Sequence, residues 1–269
     1  MNAASPQANK PVGRNRQTLL AAMAIALVLL GAACVRAPNP NALWEIVHDQ
    51  CVPNQERNAD PVPCARVVLG EGVARGHAIL KDLRGATQFL LISTARLAGI
   101  EAPDLLVPNA PNYFAAAWHA RRFVEERAHR TLPRDVLSLA INSALARSQN
   151  QLHIHIDCAR ADVVEALREH GAQIGPRWAP LDVPLAGQHY MAIRVTGEEF
   201  GTADPFMLLA DGVPGARESM GSHTLVVVGA TFPDGTPGFI VLDQHADLVA
   251  GVRGRGEDLQ DHACTLAQS

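Results

Sequence analysis

Hydrophobic and polar positions change period several times along the chain. Segments 77–84 (His-Ala-Ile-Leu-Lys-Asp-Leu-Arg) and 87–93 (Thr-Gln-Phe-Leu-Leu-Ile-Ser) read as two strands around the turn Arg84-Gly85-Ala86, an antiparallel hairpin. Segment 95–111 is loop-rich, with three prolines. The spacing of Phe114, Ala117, Trp118, Arg121, Phe123 and Val124 then predicts a helix over 113–128. Strands are predicted over 136–142 and 151–158, a helix over 161–170, and a second hairpin from 224–230 and 239–243 around Pro233-Asp234-Gly235. Asn41 is a candidate cap for a helix through Trp44 and Val47, and the Pro- and Asn-rich segment 52–63 reads as loop. Antiparallel strands outnumber any βαβ unit, so the fold class is α+β.

The N-terminus has another pattern. Lys10, Arg14 and Arg16 precede an uncharged apolar run from Thr18 to Val35. Eighteen helical residues span about 27 Å, enough for a bilayer core, and the basic residues before them would stay cytoplasmic. The chain divides into a basic tail (1–17), an anchor or signal segment (18–35), a linker (36–43) and a main domain (44–269). Cleavage after the small residues Gly31-Ala32-Ala33, with or without lipidation of Cys34, is the competing reading.

Composition narrows the class. Hydrophobic residues are 48% and charged residues 19%, which supports a packed core. A net charge of −4 argues against a nucleic-acid-coating protein, so no nucleic-acid partner is expected. Apart from Cys34, four cysteines lie in the exported part, where disulfides form. Of the three possible pairings we favour Cys51–Cys64 as a local clip and Cys158–Cys264 as a tie closing a loop of over 100 residues, worth about 4–5 kcal/mol in the chain-entropy model.

The candidate chemistry sits on segment 151–158. Alternate strand residues share a face, so His153, His155 and Asp157 project together, with Gln151 extending the row, while Leu152, Ile154 and Ile156 point into the core. Upstream stand Asn142, Gln149 and Asn150. A neutral imidazole is nucleophilic near pH 7 and can attack phosphorus. Phosphoryl transfer otherwise needs donors for the charged oxygens. Asn142, Gln149, Asn150 and His153 are candidate neutral donors, Lys81 a candidate cation on a pyrophosphate, and Asp157 a candidate to orient an imidazole.

The Asn142, Gln149, His153-Ile-His155-Ile pattern is similar to the signature of the histidine-triad nucleotide hydrolases and transferases. That alignment puts His155 on the middle, nucleophilic histidine and Asp157 where a third histidine is usual. A register shifted by two puts Gln151 first and makes His153 the nucleophile. More closely, the chain resembles the CDP-diacylglycerol pyrophosphatase family, the inner-membrane branch of that superfamily. The matching pieces include Cys51-Val-Pro-Asn-Gln, Pro63-Cys64, Leu80-Lys81-Asp82-Leu, Trp118 with Arg121, Ser148-Gln149-Asn150, Arg177-Trp178, Pro205-Phe206-Met207, Arg217 with Met220, and Gln260-Asp261-His262 with Cys264.

The resemblance implies an antiparallel HIT-like meander sheet with flanking helices behind one transmembrane helix. It implies a bacterial inner-membrane enzyme with its catalytic domain periplasmic. The partners are the bilayer and CDP-diacylglycerol, hydrolysed to CMP and phosphatidate with no cofactor and no metal. Two alternatives stay open: a nucleotidyltransferase passing CMP to another acceptor, and an exported protein binding a metal through His153, His155 and Asp157.

Overall fold

The computed structural model describes Met1 and residues 39–268; the predicted apolar segment 18–35 lies outside the described residues. Among the described residues no helix is long and apolar enough to cross a membrane. In chain order the elements are α1 (Ala42–Ile46), a π turn (Val47–Cys51), α2 (Val52–Asn58), β1 (Arg66–Val68), β2 (His77–Lys81), β3 (Phe89–Ser93), α3 (Tyr113–Ala120), α4 (Arg122–Ala128), β4 (Leu137–Ile141) and β5 (His153–Ala159). There follow α5 (Ala161–His170), β6 (Ala179–Pro180), β7 (Met191–Thr196), α6 (Pro205–Gly212), α7 (Ala216–Ser219), β8 (His223–Thr231), β9 (Pro237–His245) and β10 (Gln260–Asp261).

The strands form one ten-stranded sheet in the order β1-β2-β3-β5-β4-β8-β9-β7-β6, with β10 pairing on β5. Every pairing is antiparallel. The expected simple meander is interrupted, because β5 inserts between β3 and β4. The β3–β4 connection carries α3 and α4, whose apolar residues need a sheet face to cover.

Two local expectations are corrected. Segment 52–58 is helix rather than loop: Pro53 sits in the first turn, where its missing N–H costs nothing. Asn41 makes no capping hydrogen bond; its carboxamide oxygen accepts from Arg96 at 2.5 Å.

The register assigns the two faces. Leu91 pairs with Ile154 and Phe89 with Ile156, and directly opposed residues share a face. That face packs on α3, α4 and α6 through Phe114, Trp118, Val124 and Phe206. The other face carries Ile92 beside His153, Leu90 beside His155 and Ser138 beside Asp157. Here α1, the π turn and α2 cover Ala78, Leu80, Leu90 and Ile92, while α5 covers Ala140, Val226, Val228 and Leu242. The histidine row lies on the strand between these two apolar patches. Disulfides join Cys51 to Cys64, inside the first cover, and Cys158 to Cys264, on the face of β5 opposite the row.

Candidate active site

His153, His155 and Asp157 line one face of β5 and are 7%, 6% and 0% exposed. A row this buried must find its hydrogen-bond partners inside the protein. His153 Nδ1 lies 2.7 Å from the carbonyl of Gln151. A carbonyl only accepts, so Nδ1 carries the hydrogen and Nε2 the lone pair. The two imidazole rings stand edge to face, centroids 5.0 Å apart.

His155 is arranged differently. Its Nδ1 lies 2.6 Å from Nε2 of Gln88, which also reaches the Asp82 carboxylate at 3.0 Å. The carboxylate fixes that Gln88 atom as the amide nitrogen, a donor. Nδ1 of His155 therefore accepts, and its Nε2–H is a buried donor without a protein partner. The Glu257 carboxylate stands 3.6 Å from the same Nδ1. Burial lowers the pKa of His153, and burial followed by the adjacent His153 takes His155 down to about 3. Both rings are neutral at pH 7, one offering a lone pair and the other an N–H.

Among the described residues no arginine pairs with Asp157. It accepts from Thr87 Oγ1 at 2.7 Å, the backbone N–H of Cys158 at 2.9 Å and His262 Nδ1 at 3.0 Å. The bond to Asp157 raises the pKa of His262. With its carboxylate taken in this way, Asp157 is not free to join the two histidines on a metal. Among the described residues, no group of three or more His, Cys, Asp or Glu side chains is placed to hold one metal ion.

The remaining candidates separate. Asn142 comes to the site by holding Glu257: its Nδ2 donates to Oε1 at 3.1 Å, and its Oδ1 accepts from the Glu257 N–H at 3.4 Å. Gln149 instead ties down the chain before α1, accepting from the Leu43 N–H at 3.1 Å and donating to the Asn39 carbonyl at 2.9 Å. Asn150 does the same through its N–H to Pro40 and accepts from Arg147 at 3.4 Å. Residues 39–43 are thus hydrogen-bonded to the connection between β4 and β5. Lys81 pairs with Phe89, which pairs with Ile156, so it leaves the opposite face of the sheet. Its ammonium donates to the carbonyls of Asp82 at 2.7 Å and Gly85 at 3.0 Å. Gln149, Asn150 and Lys81, expected to handle phosphate, are engaged by these protein partners.

Strand periodicity missed Gln88, Glu257, Gln260 and His262. Gln260 donates to the carbonyls of His155 and Ser138, both at 3.3 Å. Glu257, Gln260 and His262 come from the last fifteen residues, brought in by β10, whose Asp261 pairs with Cys158. The Cys158–Cys264 pairing was the signal: it obliges a residue two positions before Cys264 to lie beside β5.

Residues 38–268 match the family model for CDP-diacylglycerol pyrophosphatase. The chain is 42% identical over 243 residues to a CDP-diacylglycerol pyrophosphatase of Yersinia pestis, covering 89% of this chain and 91% of that protein. A match of this extent includes the histidine row, both of its covers and the C-terminal segment, and the chain belongs to the CDP-diacylglycerol pyrophosphatase family.

Proposed function

We propose that the chain hydrolyses CDP-diacylglycerol to CMP and phosphatidate through a phosphoramidate on a histidine of β5, with His153 as the nucleophile and His155 as a donor. The hydrolase activity follows from family membership. The single observation that carries the histidine assignment is the bond from His153 Nδ1 to the Gln151 carbonyl, which leaves the Nε2 lone pair free. This is the shifted register, and it exchanges the roles expected for His153 and His155.

Nε2 of His153 attacks the cytidylyl phosphorus, forming an N–P bond as the bridging P–O bond breaks. The electron pair leaves on the phosphatidate oxygen, a phosphate dianion that needs little protonation. Positive charge appears on the ring, and the Gln151 carbonyl stabilises it through Nδ1–H. The Nε2–H of His155 is a donor for a phosphoryl oxygen. Water then cleaves the N–P bond, giving up a proton, releasing CMP and restoring His153.

The finer architecture belongs to the same proposal. The sheet is HIT-like, and segment 18–35 holds the catalytic domain on the periplasmic side of the inner membrane. There it meets a substrate whose acyl chains stay in the bilayer.

The test uses CDP-diacylglycerol labelled at the cytidylyl phosphate, in detergent, with quenching under conditions that preserve phosphoramidates. His153→Ala is expected to lose CMP release by 1,000-fold or more, roughly the loss of a nucleophile, and to trap no label. His155→Ala should slow turnover by about 100-fold and still trap label. Label retained in His153→Ala but lost in His155→Ala moves the nucleophile to His155. No CMP from the wild type sinks the reading altogether.

A further inference from the structure

A polar cavity of about 350 Å³ is lined by residues 145–147, Gln188, Tyr190, Gln244, residues 251–255 and Asp258. Three of its arginines, Arg147, Arg253 and Arg255, are not equivalent. Arg147 is paired with Glu101 at 2.6 Å, and Arg255 lies 3.4 Å from Glu257. Arg253 makes no ion pair with any described residue; its guanidinium only meets the carbonyl of Leu145 at 3.5 Å. The loop carrying it is clamped to the end of β4: Ser143 donates its N–H to the Gly254 carbonyl at 2.9 Å and its hydroxyl to the Arg253 carbonyl at 2.6 Å. Gly254 has φ +67°, and a Cβ there would press on Ser143, so the approach requires glycine.

The cavity is coupled to the reacting row. Arg255 contacts Glu257, and Glu257 stands 3.6 Å from His155. Arg147 works against protonation of His153, and Arg255 against that of His155, so both charges are felt at the row. Gln244 supplies a base-reading group. Its amide nitrogen donates to the His189 carbonyl at 3.4 Å, which leaves the side-chain oxygen as an acceptor.

We propose that this cavity is the nucleotide subsite: it takes the cytidine 5′-phosphate half of the substrate, with Arg253 on phosphate and the Gln244 oxygen accepting from the cytosine amino group. The inference rests on the hydrolase reading above and adds the placement of the substrate. The volume is in the range of small-molecule sites, about 300–1,000 Å³, and far exceeds what one free anion fills. The polar lining suits a nucleotide and excludes acyl chains. The larger apolar cavity of about 570 Å³ is lined by Ile79, which lies on the opposite face of the sheet from the histidines. An amide oxygen accepts from a 4-amino group and has nothing to accept from the 4-oxo group of uracil, so the subsite discriminates cytidine from uridine.

The test is calorimetric titration of the full-length protein with CMP and with UMP, alongside CDP-diacylglycerol turnover. Arg253→Ala should weaken CMP binding about 10-fold or more, with Arg253→Lys recovering part of it, because a charge-assisted contact to phosphate is lost. In turnover the same change should raise KM more than it lowers kcat. Gln244→Leu should narrow the preference for CMP over UMP several-fold. Arg122→Ala, on the apolar cavity, should bind CMP as the wild type does. Wild-type affinity for CMP in both Arg253→Ala and Gln244→Leu, in a protein that hydrolyses CDP-diacylglycerol, overturns the subsite and leaves the hydrolase reading standing. CMP binding that weakens in Arg253→Ala, in a protein that releases no CMP from CDP-diacylglycerol, supports the subsite and overturns the hydrolase reading.

Discussion

Two segments flank the histidine row, each fastened by a disulfide, and they contribute opposite things. The N-terminal cover, α1 to α2 with Cys51–Cys64, packs Val47 and Val52 on Ala78, Leu80, Leu90 and Ile92. It brings apolar area and no polar group to the histidines. The C-terminal segment from Gly256 to Cys264 brings Glu257 to His155, Gln260 to the β5 backbone and His262 to Asp157. One cover serves the stability of the sheet, and the other supplies polar partners. The difference teaches that a buried polar row on one strand is completed by whichever segment can reach its polar face, however far away in the chain.

The largest expected effect comes from cutting the two fastenings separately. Replacing Cys158 and Cys264 by Ser opens a loop spanning 106 positions, worth about 4–5 kcal/mol; the Cys51–Cys64 loop spans 13, worth about 3 kcal/mol. Denaturant unfolding should rank them in that order. Turnover should fall about 10-fold or more only in the first variant, because only there do Glu257 and His262 lose their anchor. Equal kcat in the two double mutants breaks the comparison.

Glu257→Gln sharpens it. The change keeps the shape and the bond to Asn142 but removes the charge near His155. We expect kcat to fall about 10-fold with the melting temperature held within a few degrees. A drop in stability with unchanged kcat would make the C-terminal segment a second packing cover.

Titration separates strand from segment by sign. His153 and His155 bind protons less readily folded than unfolded, so their effect makes stability rise with pH up to the ordinary histidine value near 6.5. His262 is raised by Asp157; its contribution is complete below about 6.5 and is lost as pH climbs through its folded value. Unfolding measured from pH 4 to 9 should show His262→Ala flattening the upper limb and His155→Gln easing the lower one, where each group changes stability by at most about 1.4 kcal/mol per pH unit. A lower limb unchanged by His155→Gln would mean that this ring is not held neutral.

The smallest effect is on the other side. Gln149→Ala removes two hydrogen bonds to residues 39–43 and should cost about 1 kcal/mol with kcat unchanged. A large loss of kcat would return Gln149 to the reaction.

Much of this was legible in the sequence. Alternation on 151–158 placed both histidines and Asp157 on one face and the isoleucines on the other, because a strand has period two whatever surrounds it. The helix over 161–170 and the hairpin of β8 and β9 were equally local. Segment 52–58 was misread because proline suggests a break, whereas at the start of a helix it is tolerated. Motif spacing also grouped Gln149 and Asn150 with the histidines; in the fold their hydrogen bonds go to residues 39–43 and Arg147.

By itself the sequence determined the polarity of each strand face, the chemical types available for phosphoryl transfer and, through its extended likeness, the family. Only the tertiary structure decided which groups meet. The tautomers of His153 and His155 depend on Gln151, Gln88 and Asp82; the partner of Asp157 arrives 105 residues later; Lys81 is sent to the far face by sheet register. The reason is physical: side-chain direction is set by local backbone geometry, whereas hydrogen-bond partners and buried charges are set by pairing between strands and segments that no local pattern encodes.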